Sequence, residues 1–283
     1  MEGTVTLRTN QNPPAIYEFP LRAEVTESKS FSAIGIFRAG TWLIDTNRDG
    51  VPDETIEFGA PGDRPLTGDW NGDGICDIAV SHRTSDGRLA VQFQLRGVEA
   101  VTISAMPEIM LESDQCVPVA ADLNGDGTAE IGYVTSPGPG KGLAWAFDTQ
   151  HDGTFSERFV FGTPESDPVI GDWNGDEIDD VAVSFRGGRA PAGRRLWELQ
   201  SSGKSQPRDR VYLSEFDIPL AGDWDGDGDD DLGGWRPMPR PQLCFWEFET
   251  TGDEHSDCDV EGFGLGTDIP VVLRNTGKGG SKP

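Results

Sequence analysis

Apolar positions along this chain fall in short runs, each bounded by turn-forming residues. Ile78–Val80, Ile131–Val134, Val181–Val183 and Leu232–Trp235 are four such runs. Upstream of each lies another short apolar stretch that starts with proline: PLTG, PVAA, PVIG and PLAG. Downstream comes a Gly-, Pro- or Arg-rich loop, then a mixed apolar–polar segment: LAVQFQL, LAWAFDT, LWELQ or CFWEFET. A polar turn and a last run, such as RFVFG or VEGFG, complete the unit. Runs this short between Gly and Pro predict β-strands, and no segment sustains a helical period.

The unit recurs. GDWNGDGICDIAV begins at Gly68, ADLNGDGTAEIGY at Ala121, GDWNGDEIDDVAV at Gly171 and GDWDGDGDDDLGG at Gly222. From Asp69 to Asp122 is 53 residues, and the next two intervals are 50 and 51. Four strands in a period near fifty make one propeller blade. Residues 32–59 supply strands two to four of a further blade, and DIPVVLRN at 268–275 supplies its first strand. The expected fold is therefore an all-β, five-bladed propeller of four-stranded antiparallel blades, closed by one C-terminal strand joining three N-terminal ones. Such closure leaves no open ring edge. The expected divisions are an extension at 1–31, adding a strand or a cap; a propeller at 32–275; and a tail at 276–283. Its blades are 32–62 with 268–275, then about 63–113, 114–164, 165–215 and 216–267.

Composition supports short strands and tight turns: 37 glycines and 20 prolines in 283 residues. A net charge of −26 repels nucleic acid and anionic membrane, so neither is expected as a partner. No apolar run is long enough to span a bilayer. The start of the chain shows no basic n-region or apolar h-region. None of the four cysteines forms a CxxC pair, which argues against a zinc or thioredoxin-like site. A Cys244–Cys258 cross-strand disulfide and free thiols are equal alternatives, and a Cys76–Cys116 bridge also stays open.

The acidic loops carry the chemistry. A turn with oxygen side chains at positions 1, 3, 5 and 9, a backbone carbonyl at position 7 and glycine at position 6 wraps a calcium ion. The first loop offers Asp69, Asn71, Asp73, Ile75 and Asp77, and the second Asp122, Asn124, Asp126, Thr128 and Glu130. The third offers Asp172, Asn174, Asp176, Ile178 and Asp180, and the fourth Asp223, Asp225, Asp227, Asp229 and Asp231. Position 12 of a helical EF-hand would be Glu; here it is Val80, Tyr133, Val183 or Gly234. The loop thus runs into a strand, and calcium would tie strand one of a blade to strand two. The fourth loop, with most carboxylates, is expected to bind tightest. The third is expected to bind weakest, since Glu177 replaces the position-6 glycine. Arg274 occupies the first ligand position of the fifth copy, where no metal is expected. A hairpin at Asp45, Asn47, Asp49, Val51 and Asp53 is expected to hold a fifth ion, and its counterpart at Asp148, Gln150 and Asp152 to bind weakly.

Phe58-Gly59-Ala60-Pro61, the Asp-rich loops and the DIAV strand together resemble the FG-GAP/VCBS repeats of integrin α-subunit propellers and their microbial relatives, over roughly residues 32–275; Phe161-Gly162-Thr163-Pro164 repeats the motif less perfectly. The resemblance implies a calcium-stabilised propeller, extracellular or at the cell surface, used in adhesion or glycan binding. Integrin propellers have seven blades, so five is a departure. An intracellular location stays open.

With strand direction alternating, the metal loops share one face of the disc. The other face carries basic loops between strands two and three, including Arg88, Lys141, Arg189, Arg194, Arg195 and Arg240, and acidic loops between blades: Asp63, Asp114, Asp167, Asp217 and Asp268. Phe37, Arg38, His82, Arg83, Phe185, Arg186, Trp235 and Arg236 are the candidate ligand-binding residues, since arginine forks beside aromatic planes suit sugars or acidic peptides. A salt-bridged rim is the alternative. The remaining tryptophans are expected to pack between blades. The innermost strands offer no axial carboxylate pair for glycoside hydrolysis. The expected function is a non-enzymatic calcium-stabilised module recognising carbohydrate or a cell-surface glycoprotein, as a monomer or a domain of a larger chain. A protein-interaction scaffold is the alternative, and a polysaccharide lyase or glycosidase a third reading.

Overall fold

The computed structural model describes residues 2–8, 16–22, 31–97, 109–111, 115–200, 208–238 and 244–274. The first two strands, β1 (Glu2–Arg8) and β2 (Ile16–Arg22), pair with each other in a two-stranded antiparallel sheet. Next come β3 (Ala33–Arg38), β4 (Thr41–Asp45) and β5 (Glu54–Glu57). Blade 1 is β6 (Arg64–Gly68), β7 (Asp77–Arg83), β8 (Leu89–Gln94) and β9 (Ile109–Leu111). Blade 2 is β10 (Val117–Ala121), β11 (Glu130–Thr135), β12 (Ala144–Phe147) and β13 (Glu157–Val160). Blade 3 is β14 (Asp167–Gly171), β15 (Asp180–Arg186), β16 (Arg194–Gln200) and β17 (Arg208–Ser214). Blade 4 is β18 (Ile218–Gly222), β19 (Asp231–Arg236), β20 (Phe245–Glu249) and β21 (Cys258–Glu261). The last strand, β22 (Ile269–Leu273), pairs with β3 and completes blade 5 in the order β22-β3-β4-β5. The fold is a five-bladed propeller closed by a C-terminal strand.

The five first strands lie side by side in cyclic order, β6 against β10, β14, β18 and β22 in turn, with β22 back against β6. Each carries proline at its second position: Pro65, Pro118, Pro168, Pro219 and Pro270. Proline has no N–H, so it fits a strand only where its nitrogen faces away from the partner strand. Here that direction is the axis.

Every blade is a sheet with both faces covered, so the core is five wedges, each shared by two successive blades. Trp42, Ile44, Ile78 and Val80 meet between blades 5 and 1; Trp145, Phe147, Val181 and Val183 between blades 2 and 3; Ile34, Ile36, Trp246 and Phe248 between blades 4 and 5. The second strand of each blade is consequently buried nearly end to end, which explains its unbroken apolar run.

The repeated motifs have local causes. In Gly-Asp-Trp, the indole lies over the preceding glycine: a Cβ on Gly171 would stand 2.9 Å from Trp173 and one on Gly222 2.8 Å from Trp224. Loop 2 replaces both members together, with Ala121 and Leu123. In Phe-Gly, the Phe carbonyl accepts the indole N–H of the third-strand tryptophan: Trp42 to Phe58 at 2.9 Å, Trp145 to Phe161 at 2.9 Å and Trp246 to Phe263 at 3.0 Å. The following glycine turns at positive φ and abuts the next blade; a Cβ on Gly162 would sit 2.6 Å from Val183. The Phe-Gly pairs therefore follow the fourth strand rather than belonging to it, a shorter strand than RFVFG or VEGFG suggested.

A chain of hydrogen bonds joins neighbouring loops. The position-8 N–H of one loop donates to the position-1 carbonyl of the loop before it: Ala129 to Asp69 at 2.6 Å, Asp179 to Asp122 at 2.7 Å, Asp230 to Asp172 at 2.6 Å and Ser32 to Asp223 at 2.7 Å. Where position 8 has an oxygen side chain, it accepts in return: Asp122 N–H to Asp179 at 2.8 Å, Asp172 N–H to Asp230 at 2.9 Å and Asp223 N–H to Ser32 at 3.0 Å. At the fifth junction Arg274 stands in place of the aspartate, and its N–H bonds the Cys76 thiol, whose pKa burial pushes up to about 12.

The Arg274 side chain reaches from the closing strand to the loops of blades 3 and 4. Its guanidinium holds Asp179 at 2.5 and 2.9 Å and Asp230 at 2.7 Å, all three side chains being largely buried. Removing one partner of a buried ion pair costs about 3–5 kcal/mol because the remaining charge stays desolvated. Arg274→Met should therefore lower the urea midpoint strongly, and adding Asp179→Asn and Asp230→Asn should recover part of the loss. An unchanged midpoint in Arg274→Met would refute a latch at this position.

Candidate metal loops and the opposite face

All the acidic turns share one backbone design. The position-1 carboxylate gathers N–H groups from positions 4 and 6. Asp69 accepts from Gly72 at 2.8 Å and Gly74 at 2.7 Å, and Asp122 from Gly125 at 2.7 Å and Gly127 at 2.8 Å. Asp172 accepts from Gly175 and Glu177, both at 2.8 Å, and Asp223 from Gly226 at 2.5 Å and Gly228 at 3.1 Å. The hairpin residue Asp45 does the same with Arg48 at 2.6 Å and Gly50 at 2.8 Å, and Asp148 with Gly153 at 2.7 Å. Position 5 turns one oxygen onto the position-7 N–H, as in Asp73 to Ile75 at 2.9 Å, Asp126 to Thr128 at 2.8 Å, Asp176 to Ile178 at 3.1 Å and Asp49 to Val51 at 2.9 Å. Position 6 is left-handed throughout: φ is 84° at Gly74, 88° at Gly127 and 105° at Gly228, and 64° at Glu177. The non-glycine residue there bears a strain of roughly 1–2 kcal/mol.

Position 9 opens the second strand and is buried in loops 1, 2 and 3 as Asp77, Glu130 and Asp180. Glu130 accepts from Leu123 N–H at 2.7 Å and from the Asn124 amide at 2.6 Å, Asp180 from the Asn174 amide at 2.9 Å, and Asp231 from Trp224 N–H at 3.3 Å. In loop 1, Asp77 also takes the Arg96 N–H at 2.5 Å. In the hairpin, Asp53 accepts from the Thr46 hydroxyl at 2.6 Å, which pulls its pKa down with help from the Thr46 N–H at 2.8 Å, and Asn47 lies beside it. The neighbouring Arg48 donates to the Trp224 carbonyl at 2.8 Å and lies 4.3 Å over the Phe31 ring, tying this hairpin to loop 4.

The donor chemistry fits a hard cation. Asp223, Asp225 and Asp227 bring carboxylate oxygens within 4.8 Å of one another, the span of oxygens bonded to one calcium at about 2.3–2.6 Å. The loops carry a heavy electrostatic load of their own. Burial raises Asp77 to about 6, Glu130 to about 7 and Asp231 to about 8. Asp229 is lifted to about 7, first by its hydrogen bond with Asp227 and then by burial. A cation in the loop would reverse each of these shifts.

Two features escaped the sequence reading. Asp179 and Asp230 are position-8 acids outside the ligand pattern, and they serve the Arg274 latch. A third hairpin, Glu249 to Asp257, repeats the turn: Asp257 accepts from Thr250 N–H at 2.8 Å, and Gly252 and Glu254 have φ of 73° and 68°. Glu in place of Asp at its first position concealed it. His151 also gains significance, because it points at Glu130, with Nε2 3.8 Å from the carboxylate.

On the opposite face the aromatic candidates are not available for stacking. Phe37, Phe185 and Trp235 are 2%, 7% and 1% exposed; Phe37 packs edge-on against Trp42 and Trp235 against Trp246. Their strands bury both faces, so position beside an arginine loop did not bring the rings to the surface. The arginines form a salt-bridged rim. Arg38 clamps Asp268 at 2.8 and 2.7 Å, and Arg236 clamps Asp217 at 2.7 and 2.9 Å and reaches Glu247 at 2.9 Å. Arg195 holds Asp167 at 2.6 Å. Arg186 donates to the Glu215 carbonyl at 3.3 Å. His82 is half-buried and Arg83 exposed. Asp114 and Arg240 lie outside the described residues. All four cysteines are free; Cys258 is exposed and stands opposite Phe248, not Cys244, so the cross-strand bridge does not form.

In chelator, the raised carboxylates set a pH dependence. Below the ordinary carboxylate range, near 4, folded and unfolded chains are both protonated and the shifts cost nothing. As pH rises toward 8, the unfolded chain has already lost these protons while the folded one resists, so stability falls. The melting temperature of chelator-treated protein should drop between about pH 5 and pH 8, and calcium should remove the drop. A flat profile in chelator would contradict the electrostatic loading. No family model matches this chain, and no curated protein matches it.

Proposed function

We propose that this chain is a calcium-stabilised, non-enzymatic binding module of the FG-GAP/VCBS type, with ions in the four blade loops and in the hairpin at 45–53. The observation that supports calcium is the shared backbone design of those loops, which directs oxygen donors inward from every blade. On this reading the module works outside the cell or at its surface, where calcium modules bind with affinities of about 10⁻⁴–10⁻³ M. On this reading the ligand, a carbohydrate or a cell-surface glycoprotein, is met by the face opposite the metal loops.

One observation favours a protein partner on that face. With the aromatic rings buried, a sugar finds no stacking plane among Phe37, Phe185 and Trp235. Besides its arginines the face exposes apolar groups: Phe216 is 70% exposed, and Val117, Ile218 and Ile269, at the starts of innermost strands, are exposed by 44%, 37% and 40%. Exposed apolar groups rimmed by charge mark protein contacts more than sugar contacts. Asp179 and Asp230 are neutralised by Arg274 and serve the fold.

Removing calcium should lower the melting temperature. One site filled at a hundred times its Kd contributes about 2.7 kcal/mol, or roughly 5–10 °C for a chain of this size. Differential scanning calorimetry with chelator and with calcium checks this, and identical melts would sink the calcium reading. A glycan array and a protein pull-down, each with wild type and Phe216→Ser, separate the two ligand classes. Glycan binding that ignores Phe216→Ser supports the sugar reading. Loss of a protein partner in that variant supports the scaffold.

A further inference from the structure

Loop 2 differs from the other blade loops in two ways that coincide in space. It alone has glutamate at position 9, and it alone has an imidazole brought to its donors by the neighbouring hairpin. Asp126 and Glu130 of the loop and His151 of the hairpin offer two carboxylate oxygens and a ring nitrogen within 4.8 Å of one another. Glu130 is fully buried, and both its oxygens are oriented by hydrogen bonds, from Leu123 N–H and from the Asn124 amide. His151 stands at position 4 of its own turn with φ 53°, and its Nε2 lies 3.8 Å from Glu130 Oε1.

We propose that Asp126, Glu130 and His151 form a site for a zinc-class transition metal, set apart by its nitrogen donor from the all-oxygen loops. Calcium coordination uses oxygen donors. Zinc takes histidine nitrogen and carboxylate oxygen at about 2.0–2.2 Å in a tetrahedral arrangement, which places ligand atoms about 3.3–3.6 Å apart; His151 Nε2 and Glu130 Oε1 at 3.8 Å are close to that spacing, and Asp126, within 4.8 Å of both, would move in by about 1 Å. Two carboxylates and one imidazole leave a coordination position for water. The hydrogen bonds on Glu130 are the outer support that metal-binding carboxylates use to hold their orientation. Among divalent ions, nitrogen donors favour zinc, copper and nickel over calcium and magnesium. The site shares Asp126 and Glu130 with the calcium reading of loop 2, but does not require the other loops to be filled.

The test is calorimetric titration of chelator-stripped protein with Zn²⁺ alone, repeated in excess calcium, with visible absorption of the Co²⁺ form as a direct view of coordination. Wild type should take up zinc at one tight site and give a cobalt spectrum. His151→Ala, a change at a half-exposed loop position, should weaken zinc at least tenfold and abolish that spectrum while keeping the calcium-dependent rise in melting temperature. His255→Ala should behave as wild type. Zinc binding that His151→Ala leaves unchanged, or no tight zinc binding, would overturn the proposal. Should zinc bind through His151 while calcium leaves the melting temperature unmoved, the calcium reading fails and this one stands.

Discussion

The constraint that governs this molecule is that every blade of the propeller has two apolar faces and no single neighbour can cover both. A blade left at the end of a row would expose a wedge of tryptophan, isoleucine and valine to water. Fully burying one such aliphatic or aromatic side chain is worth about 1.5–3 kcal/mol, so an open row would forfeit a large stabilisation at each end. Joining the row into a ring removes both ends at once. The position-8 to position-1 hydrogen bonds then fix the angle between successive blades, because each is a backbone bond of 2.6–2.7 Å at the tightest point of the disc.

The loops perform two tasks with one set of carboxylates. Both oxygens of each first-position aspartate in the blade loops accept N–H groups, Oδ1 from position 4 and Oδ2 from position 6, and so shape the turn. Other oxygens face like charges, and in Asp77, Glu130 and Asp231 burial makes ionisation costly. The acidity that dominates the composition is therefore concentrated where a cation would relieve it. Glu177 shows how the turn tolerates variation: it keeps the left-handed backbone and still donates its N–H to Asp172 at 2.8 Å, bearing the strain itself.

Blade number, strand order and ring closure were legible in the sequence because the repeat is enforced by sterics that recur. A tryptophan after the aspartate requires a glycine before it, and the third-strand tryptophans of blades 5, 2 and 4 each take a carbonyl from a Phe-Gly turn. The loop positions were legible for the same reason. Exposure was not. Phe37, Phe185 and Trp235 directly precede arginine-bearing loops in the chain, yet they lie on second strands covered by adjacent blades, and only the packing of two blades reveals that. Contacts between distant residues were equally hidden. Nothing near Arg274 in the chain indicates Asp179, 95 residues away, and nothing near His151 indicates that its ring returns to Glu130.

The seam of blade 5 bears on how the chain folds during synthesis. Blades 1 to 4 are each contiguous and can assemble as they leave the ribosome, but β3, β4 and β5, made before them, lack their inner partner until β22 appears. Arg38 must wait for Asp268, 230 residues later. Contacts of such separation form late and slowly, and an unpaired strand edge waiting in the cell invites pairing with the wrong chain. While blades 1 to 4 are being made, the strands that begin the ring are thus its least protected ones, and a chaperone that shields an exposed sheet edge would find its substrate there.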